Sequence, residues 1–273
     1  MTAWDAIFSF LRGPWDLRID QVGLILALGA LYFGAVIRHA RSAAEPADRG
    51  RMALFLLGLS TLAYAVASPF DRLADDYLFS AHMLQHQMLT LIVPPLLLLG
   101  MPGWMARPLL SAPWIARVGR THAYPVVAFG AFNLLFAVVH FPAIYDRLFG
   151  DEIWHFATHA VIVGTGILTW LPLFSPVPDV LPRLSLPGQL LYCFVQTIPG
   201  SFAGSLITLA DGVLYRRYGD WPLAMAMSPL ADQQLGGLLM WVVQGTFFLI
   251  LLTVLFFIWA NREEKDAYGF APR

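Results

Sequence analysis

Residues 82–100, HMLQHQMLTLIVPPLLLLG, place two histidines one helical turn apart at the start of an apolar run that is long enough to cross a membrane. A bilayer core needs about 20 mostly apolar residues per helix, and such a segment must satisfy its own backbone hydrogen bonds. The stretch is therefore predicted to be a transmembrane helix. Because imidazoles are costly next to lipid, His82 and His86 are expected to face the inside of a helix bundle.

Six further apolar runs flank this stretch, and together they predict an all-α polytopic membrane protein, a bundle of seven transmembrane helices. Of the 273 residues, 58% are hydrophobic and 13% are charged, and this charged share is about half that of a soluble domain. The predicted spans lie near residues 21–38, 51–68, 80–100, 123–141, 153–173, 187–210 and 234–260. We expect a single domain over 1–273, with an interfacial segment at 1–20 and a tail at 261–273.

The distribution of basic residues predicts the orientation of the bundle. Eleven of the seventeen Lys and Arg residues fall in one set of predicted loops and six in the other. By the positive-inside rule the richer side is cytoplasmic, so the N-terminus is predicted to lie outside and the C-terminus in the cytoplasm. The net charge of −1 gives no indication of nucleic-acid binding, and the single Cys193 excludes a disulfide framework.

Five of the seven histidines are predicted to lie near the outer edge of the membrane, on three spans. His82 and His86 share a helix face because they are four residues apart, and His155 and His159, in HFATH, repeat that spacing. His140 ends the fourth span. Two such pairs on facing helices could supply four nitrogens to a metal ion, and imidazole suits copper, zinc, iron and nickel. We predict a metal site; histidines satisfied by one another or by water are the alternative.

The last outer loop and the mouth of the seventh span add further candidate ligands. Met225 and Met227 offer thioethers, which select copper(I), although methionines in such a loop are also typical apolar cover. Asp232 either caps the seventh helix or completes the site, as an oxygen ligand or as an acceptor for a histidine N–H.

Two prolines interrupt the third span. Pro94 and Pro95 remove two backbone donors, so the carbonyl groups of Thr90 and Leu91 are predicted to lose their helical partners. The resulting kink either shapes the metal site or serves packing.

Polar and small residues within the later spans indicate contacts between helices. Asn133, Gln196 and Gln244 are interpreted as donors and acceptors for bonds between helices, and Gly200 and Gly204 permit close helix approach. No span carries a charge near its centre, which argues against an ion path.

Five motifs, in this order, resemble the CtaG family of cytochrome c oxidase assembly factors, the seven-span membrane type. The motifs are AHMLQHQML (81–89), PPLLLLGMP (94–102), VVHFPAIYD (138–146), HFATH (155–159) and MSPLADQQLGGLLMW (227–241). The resemblance implies a multi-pass protein of the bacterial inner membrane that helps to build a haem–copper oxidase by handling copper at the outer, periplasmic face. The family-pattern positions that this chain matches are His82, His86, His140, His155, His159 and Asp232.

The resemblance and the histidine spacing together predict a copper-binding assembly factor rather than an enzyme, with a terminal-oxidase subunit and a periplasmic copper donor as partners. No catalytic residue is assigned. A zinc-dependent intramembrane hydrolase is one alternative, because Ser80 and Glu152 lie near the histidine pairs, but the HExxH and GxSxG signatures are absent. A haem held by histidines of facing helices is another, without a CxxCH attachment motif.

Overall fold

The computed structural model describes residues 3–13, 19–43, 46–119, 121, 124–219 and 227–267. Every regular element within these ranges is helical, which confirms the all-α prediction. The helices are α1 (Ala3–Leu11), α2 (Ile19–Ala43), α3 (Arg49–Val66), α4 (Pro69–Asp76), α5 (Phe79–Gln87), α6 (Val93–Gly100), α7 (Gly103–Leu110), α8 (Pro113–Gly119), α9 (Tyr124–Val139), α10 (Pro142–Leu148), α11 (Glu152–Phe174), α12 (Leu186–Thr208), α13 (Arg216–Gly219) and α14 (Pro229–Ala267). A π-helical turn, Met88–Ile92, joins α5 to α6.

Five helical segments are long and apolar enough to cross a membrane: α2, the continuous α5–α6 segment, α11, α12 and α14. The number rises to seven if two bent pairs, α3 with α4 and α8 with α9, each count as one span. Each of the seven runs predicted from the sequence overlaps one of these segments, and the count of seven spans stays a prediction. The protein is therefore a multi-pass membrane protein, and the side that each terminus faces stays a prediction.

As predicted, Pro94 and Pro95 interrupt the backbone hydrogen bonds of the α5–α6 segment. In the π-helical turn the N–H of Val93 donates to the carbonyl oxygen of Met88. The carbonyl oxygen of Thr90 instead accepts a hydrogen bond of 2.7 Å from the indole N–H of Trp170 in α11. Each histidine pair lies towards the N-terminal end of one of these two segments, so this bond ties together the two segments that carry the pairs.

Glycines allow α12 and α14 to pack backbone against backbone. A β-carbon added to Gly237 would lie 2.7 Å from the amide nitrogen of Thr208 and 2.8 Å from the carbonyl oxygen of Gly204. Real β-carbons do not approach backbone atoms this closely. Helices α12 and α14 can therefore pack at this distance only because residue 237 has no side chain. The close approach predicted at Gly204 is confirmed.

A buried polar network joins α9, α11, α12 and α14. The Asn133 amide donates to Gln196 Oε1 at 3.0 Å, and Gln196 Nε2 donates to Thr169 Oγ1 at 2.6 Å. The Gln244 amide donates to the carbonyl oxygen of Gln196 at 3.1 Å, in space that Gly200 leaves open. Because a polar group in an apolar bundle needs a partner, these bonds hold the four helices in one register. The predicted role of Asn133, Gln196 and Gln244 as contacts between helices is confirmed.

Gly237→Ala is expected to lower the free energy of unfolding by about 1–3 kcal/mol, the usual cost of forcing extra volume into a packed contact. Thermal unfolding of the detergent-solubilised protein, followed by circular dichroism, measures this change. Gly245→Ala is the matched control on the same helix, because a β-carbon there meets nothing within 4 Å. Equal effects of the two substitutions would contradict the assignment of the close contact to Gly237.

Candidate metal centre

Five histidine side chains from three segments of the chain converge at one end of the bundle. Helix α5 contributes His82 and His86, α11 contributes His155 and His159, and His140 directly follows α9. All five are buried, with exposed fractions from 0% to 8%. The ring centroids are 4.4 and 4.5 Å apart within the two pairs, and that of His82 lies 5.5 Å from His155 and 5.4 Å from His159. The structure therefore brings together all five histidines that the sequence pattern proposes.

Three of these rings already have the arrangement of a ligand group. One ring nitrogen from each of His82, His155 and His159 lies within 4.8 Å of the other two. The ring centroid of His86 lies 5.2 Å from that of His159 and 5.4 Å from that of His140, so these rings extend the group on one side. Three imidazoles from the protein form a common coordination set of zinc and copper sites.

The hydrogen bonding of His140 leaves one ring nitrogen available for a metal. His140 Nδ1 lies 2.7 Å from the carbonyl oxygen of Phe136, one turn earlier. A carbonyl oxygen only accepts, so Nδ1 carries the proton and the neutral ring keeps its lone pair on Nε2. Within the described residues, His140 Nε2 and both ring nitrogens of His86 make no hydrogen bond. A backbone-bonded outer nitrogen with an open inner nitrogen is the usual state of a metal-binding histidine.

The side chain of Phe149 covers the cluster. It follows α10 and is 3% exposed. Its ring centroid lies 4.6 Å from that of His155 and 4.9 Å from that of His82, and 6.2 Å from those of His86 and His159. The aromatic ring thus packs against four of the five imidazoles. The sequence pattern does not single out Phe149, because nothing local connects it with the histidine helices.

One carboxylate that the histidine pattern does not include reaches the same place. Asp75 Oδ1 lies 3.4 Å from His82 Nδ1 and 3.3 Å from His155 Nε2. Asp75 belongs to α4, which diverges from α3 by 47° and so returns towards the bundle. The sequence signal for this return is Ser68–Pro69, a capping residue followed by proline at the first helical position.

The carboxylate of Asp232 serves a different contact. Its oxygens accept hydrogen bonds from the backbone N–H groups of Phe79 at 2.7 Å and Ser80 at 3.1 Å, and from the Ser80 hydroxyl. Asp232 therefore caps α5, not its own helix α14, and holds the start of the helix that carries the first histidine pair. Both oxygens are engaged there, and we leave Asp232 out of the proposed ligand set.

Comparison with protein families decides what kind of protein this is. Residues 30–262 match the family described as cytochrome c oxidase caa3 assembly factor (Caa3_CtaG). The chain belongs to the Caa3_CtaG family. The resemblance carried by the five sequence motifs is thereby confirmed.

Curated relatives of this Caa3_CtaG chain come from mycobacteria. Uncharacterized proteins of Mycobacterium bovis and Mycobacterium tuberculosis are each 28% identical to it over 298 residues, and one of Mycobacterium leprae is 27% identical over 296 residues. Each alignment covers 97% of this chain but 44% of the relative. The chain thus spans less than half the length of these relatives. No solved structure matches it.

The remaining predicted site residues of the Caa3_CtaG chain are placed only in part. Met227 is half-buried, and Met225 lies outside the described residues, so both stay predictions as ligands. The Ser80 hydroxyl, which a hydrolase would need as a reacting or polarising group, donates to Asp232. Nothing is described of the Glu152 side chain.

Asp232→Ala is expected to destabilise the protein by about 1–3 kcal/mol, because it removes a helix cap and leaves two buried backbone N–H groups without an acceptor. The shift of the thermal midpoint relative to wild type measures the effect, and Asp211→Ala, at an exposed carboxylate, is the control. The metal content of the folded variant should equal that of wild type. A loss of bound metal without a loss of stability would identify Asp232 as a ligand instead.

Proposed function

We propose that this Caa3_CtaG protein binds copper at the histidine cluster and supplies it during assembly of a cytochrome c oxidase. The proposal is carried by one observation, the convergence of five buried imidazoles from three segments. Leaving a buried polar group without a partner costs about 1–3 kcal/mol. A metal ion bound by several of the rings turns this cost into a favourable interaction, which is why such clusters mark metal sites.

The donor chemistry of the cluster fits copper. Neutral imidazole binds copper and zinc well, and copper(II) stands above zinc in the general order of affinities. His82, His155 and His159 are the proposed principal ligands, with His86 and His140 completing the set. Membership in an oxidase assembly family favours copper, because the resemblance implies that the client is a haem–copper oxidase. Copper is then the cargo of the protein, bound and later released.

The place of the cluster within the bundle fits transfer at a membrane surface. The distribution of basic residues favours an outer, periplasmic position in a bacterial inner membrane. From there the ion could be received from a soluble periplasmic donor and passed to a membrane-embedded oxidase subunit. The long α5–α6 segment and α11 position the rings, while Phe149, which follows α10, and Asp75 of α4 lie against them.

A haem fits the same residues less well. The rings of the two helices approach to between 5.2 and 5.5 Å, and the Phe149 ring packs against them. A porphyrin between two of these imidazoles would have to separate α5 from α11 and break the hydrogen bond from Trp170 to Thr90. A zinc site is compatible with the geometry, and metal competition distinguishes it from a copper site.

Replacing His82 and His155 together by alanine removes one principal ligand from each helix, so the purified protein should lose most of its copper. Copper per chain is measured by elemental analysis after loading and desalting. His39→Ala is the matched control, because His39 stacks on Trp104 at 4.0 Å and takes no part in the cluster. Wild type that stays empty after loading would defeat the proposal, and so would a double variant with full copper content.

The same two variants test the role in assembly. Cells that produce the His82→Ala/His155→Ala protein should accumulate oxidase with less copper than cells that produce the His39→Ala protein. Added copper in the medium should restore part of the difference, since mass action replaces a lost delivery step. Oxidase of normal copper content in both strains would separate metal binding from assembly and refute the delivery role.

Phe149→Ala should speed the release of copper to a soluble chelator by about tenfold or more, because water and chelator gain access to rings that the aromatic side chain covers. Stopped-flow absorbance of the chelator complex measures the rate. Phe202→Ala, at a 66% exposed phenylalanine of α12, is the control for general loosening of the fold. Equal release rates from the two variants would show that Phe149 does not limit access.

A further inference from the structure

Helix α4 holds Asp75 in a defined position beside the histidine cluster. Ser68 caps the helix by accepting a hydrogen bond from the backbone N–H of Phe70 at 3.1 Å. The hydroxyl group of Tyr218 donates to the carbonyl oxygen of Ala74 at 2.8 Å. Burial raises the pKa of that phenol, so it stays a protonated donor. Helix α4 is therefore held at its first turn and at the peptide group that precedes Asp75, and the Asp75 side chain is 14% exposed.

The distances from the Asp75 carboxylate to the two histidines distinguish a metal ligand from a hydrogen-bond acceptor. Asp75 Oδ1 lies 3.4 Å from His82 Nδ1 and 3.3 Å from His155 Nε2. Hydrogen bonds to charged oxygens are shorter, about 2.7–2.9 Å. Two donor atoms bound to one tetrahedral ion at about 2.0–2.1 Å are separated by roughly 3.3–3.4 Å. Each of the two N–O distances thus matches the separation of two ligands of one ion.

We propose that Asp75 is a ligand of the same metal ion as His82 and His155, and that its charge makes the site prefer a divalent ion, copper(II) or zinc(II), to copper(I). The proposal deepens the copper-binding function stated above and rests on it. Asp75 thereby adds one oxygen donor beside the nitrogens of His82 and His155.

Charge is the physical reason for the preference. Neutral imidazoles leave the full charge of a buried ion uncompensated, and in a poorly solvated interior that charge is expensive. One carboxylate offsets half the charge of a divalent ion. It is also a hard oxygen donor, whereas copper(I) favours soft thioether and thiolate sulfur. A site completed by Met225 and Met227 would have the opposite preference.

The two carboxylates of α4 that face the bundle do different things. Asp71, one turn before Asp75, accepts a hydrogen bond of 2.7 Å from the Gln85 amide. The same amide donates to the carbonyl oxygen of Ala65 at 2.7 Å, so Asp71 joins α4 to α5 and to the end of α3. Asp75 lies next to two imidazole nitrogens instead. The closeness to two imidazole nitrogens is the reason for assigning the metal to Asp75 and not to Asp71.

The test compares both oxidation states of copper on one isosteric variant. Asp75→Asn should weaken copper(II) binding by about tenfold or more and copper(I) binding by less than about threefold, since the carboxylate charge attracts a divalent ion about twice as strongly as a monovalent one. Full-length protein in detergent is titrated with copper(II), and separately with copper(I) under reducing, anaerobic conditions, against competing chelators. Asp76→Asn is the matched control, because Asp76 is the next residue and its partly exposed side chain contacts Arg72 at 3.9 Å.

The possible results test the Asp75 ligand assignment, the preference for a divalent ion and the copper site itself separately. A copper(II) affinity of Asp75→Asn equal to that of Asp76→Asn overturns the ligand assignment while the copper site itself stands. An equal loss of both oxidation states overturns the preference for a divalent ion. Wild type that binds neither ion defeats the copper-binding function, and the Asp75 assignment with it.

A second measurement keeps the assignment testable if Asp75→Asn does not fold. Infrared difference spectra of wild-type protein before and after addition of zinc(II) should show a shift of one carboxylate band, because coordination changes its stretching frequency. Asp76→Asn should show the same shift. A wild-type spectrum with bound zinc and no carboxylate shift overturns the proposal.

Discussion

An imidazole placed between apolar helices needs a partner for each of its nitrogens, and this need governs the end of the bundle where the histidines meet. No single helix can meet it, because residues on one face stack along the axis and cannot surround a common point. His82 and His86 therefore depend on α11 for a facing set of rings, and His155 and His159 depend on α5. The site therefore depends on how α5 and α11 are rotated relative to one another.

Several contacts away from the site set that rotation. The indole of Trp170 fills the hydrogen-bonding gap that proline leaves at Thr90, and Asp232 fixes the first turn of α5 to α14. The network around Gln196 and the glycine contact between α12 and α14 then hold α14 itself. Long helices with satisfied polar contacts position the rings, whereas short elements carry Phe149 and Asp75 over them. This division fits the proposed function, in which the protein holds an ion and later releases it.

Features with a helical period were predictable from the sequence. The two i, i+4 histidine pairs, the carbonyl group freed at Thr90 and the contacts of Gln196 between helices all follow from local geometry, and the structure contains each of them. Contacts between distant parts of the chain were not predictable. Asp232 pairs with residues 152 and 153 positions earlier, and no local pattern distinguishes that from capping its own helix.

The amino-acid sequence by itself determined the membrane class, the places of the spans, the residues that share each helix face and the family motifs. Hydropathy and backbone periodicity are local, so a single chain read in order contains them. Only the tertiary structure decided that Asp75 and Phe149 contact the histidines and that Asp232 caps α5. Those choices depend on a 47° bend between α3 and α4 and on the rotation of helices against one another. Both are set by packing among distant side chains, which local periodicity does not encode.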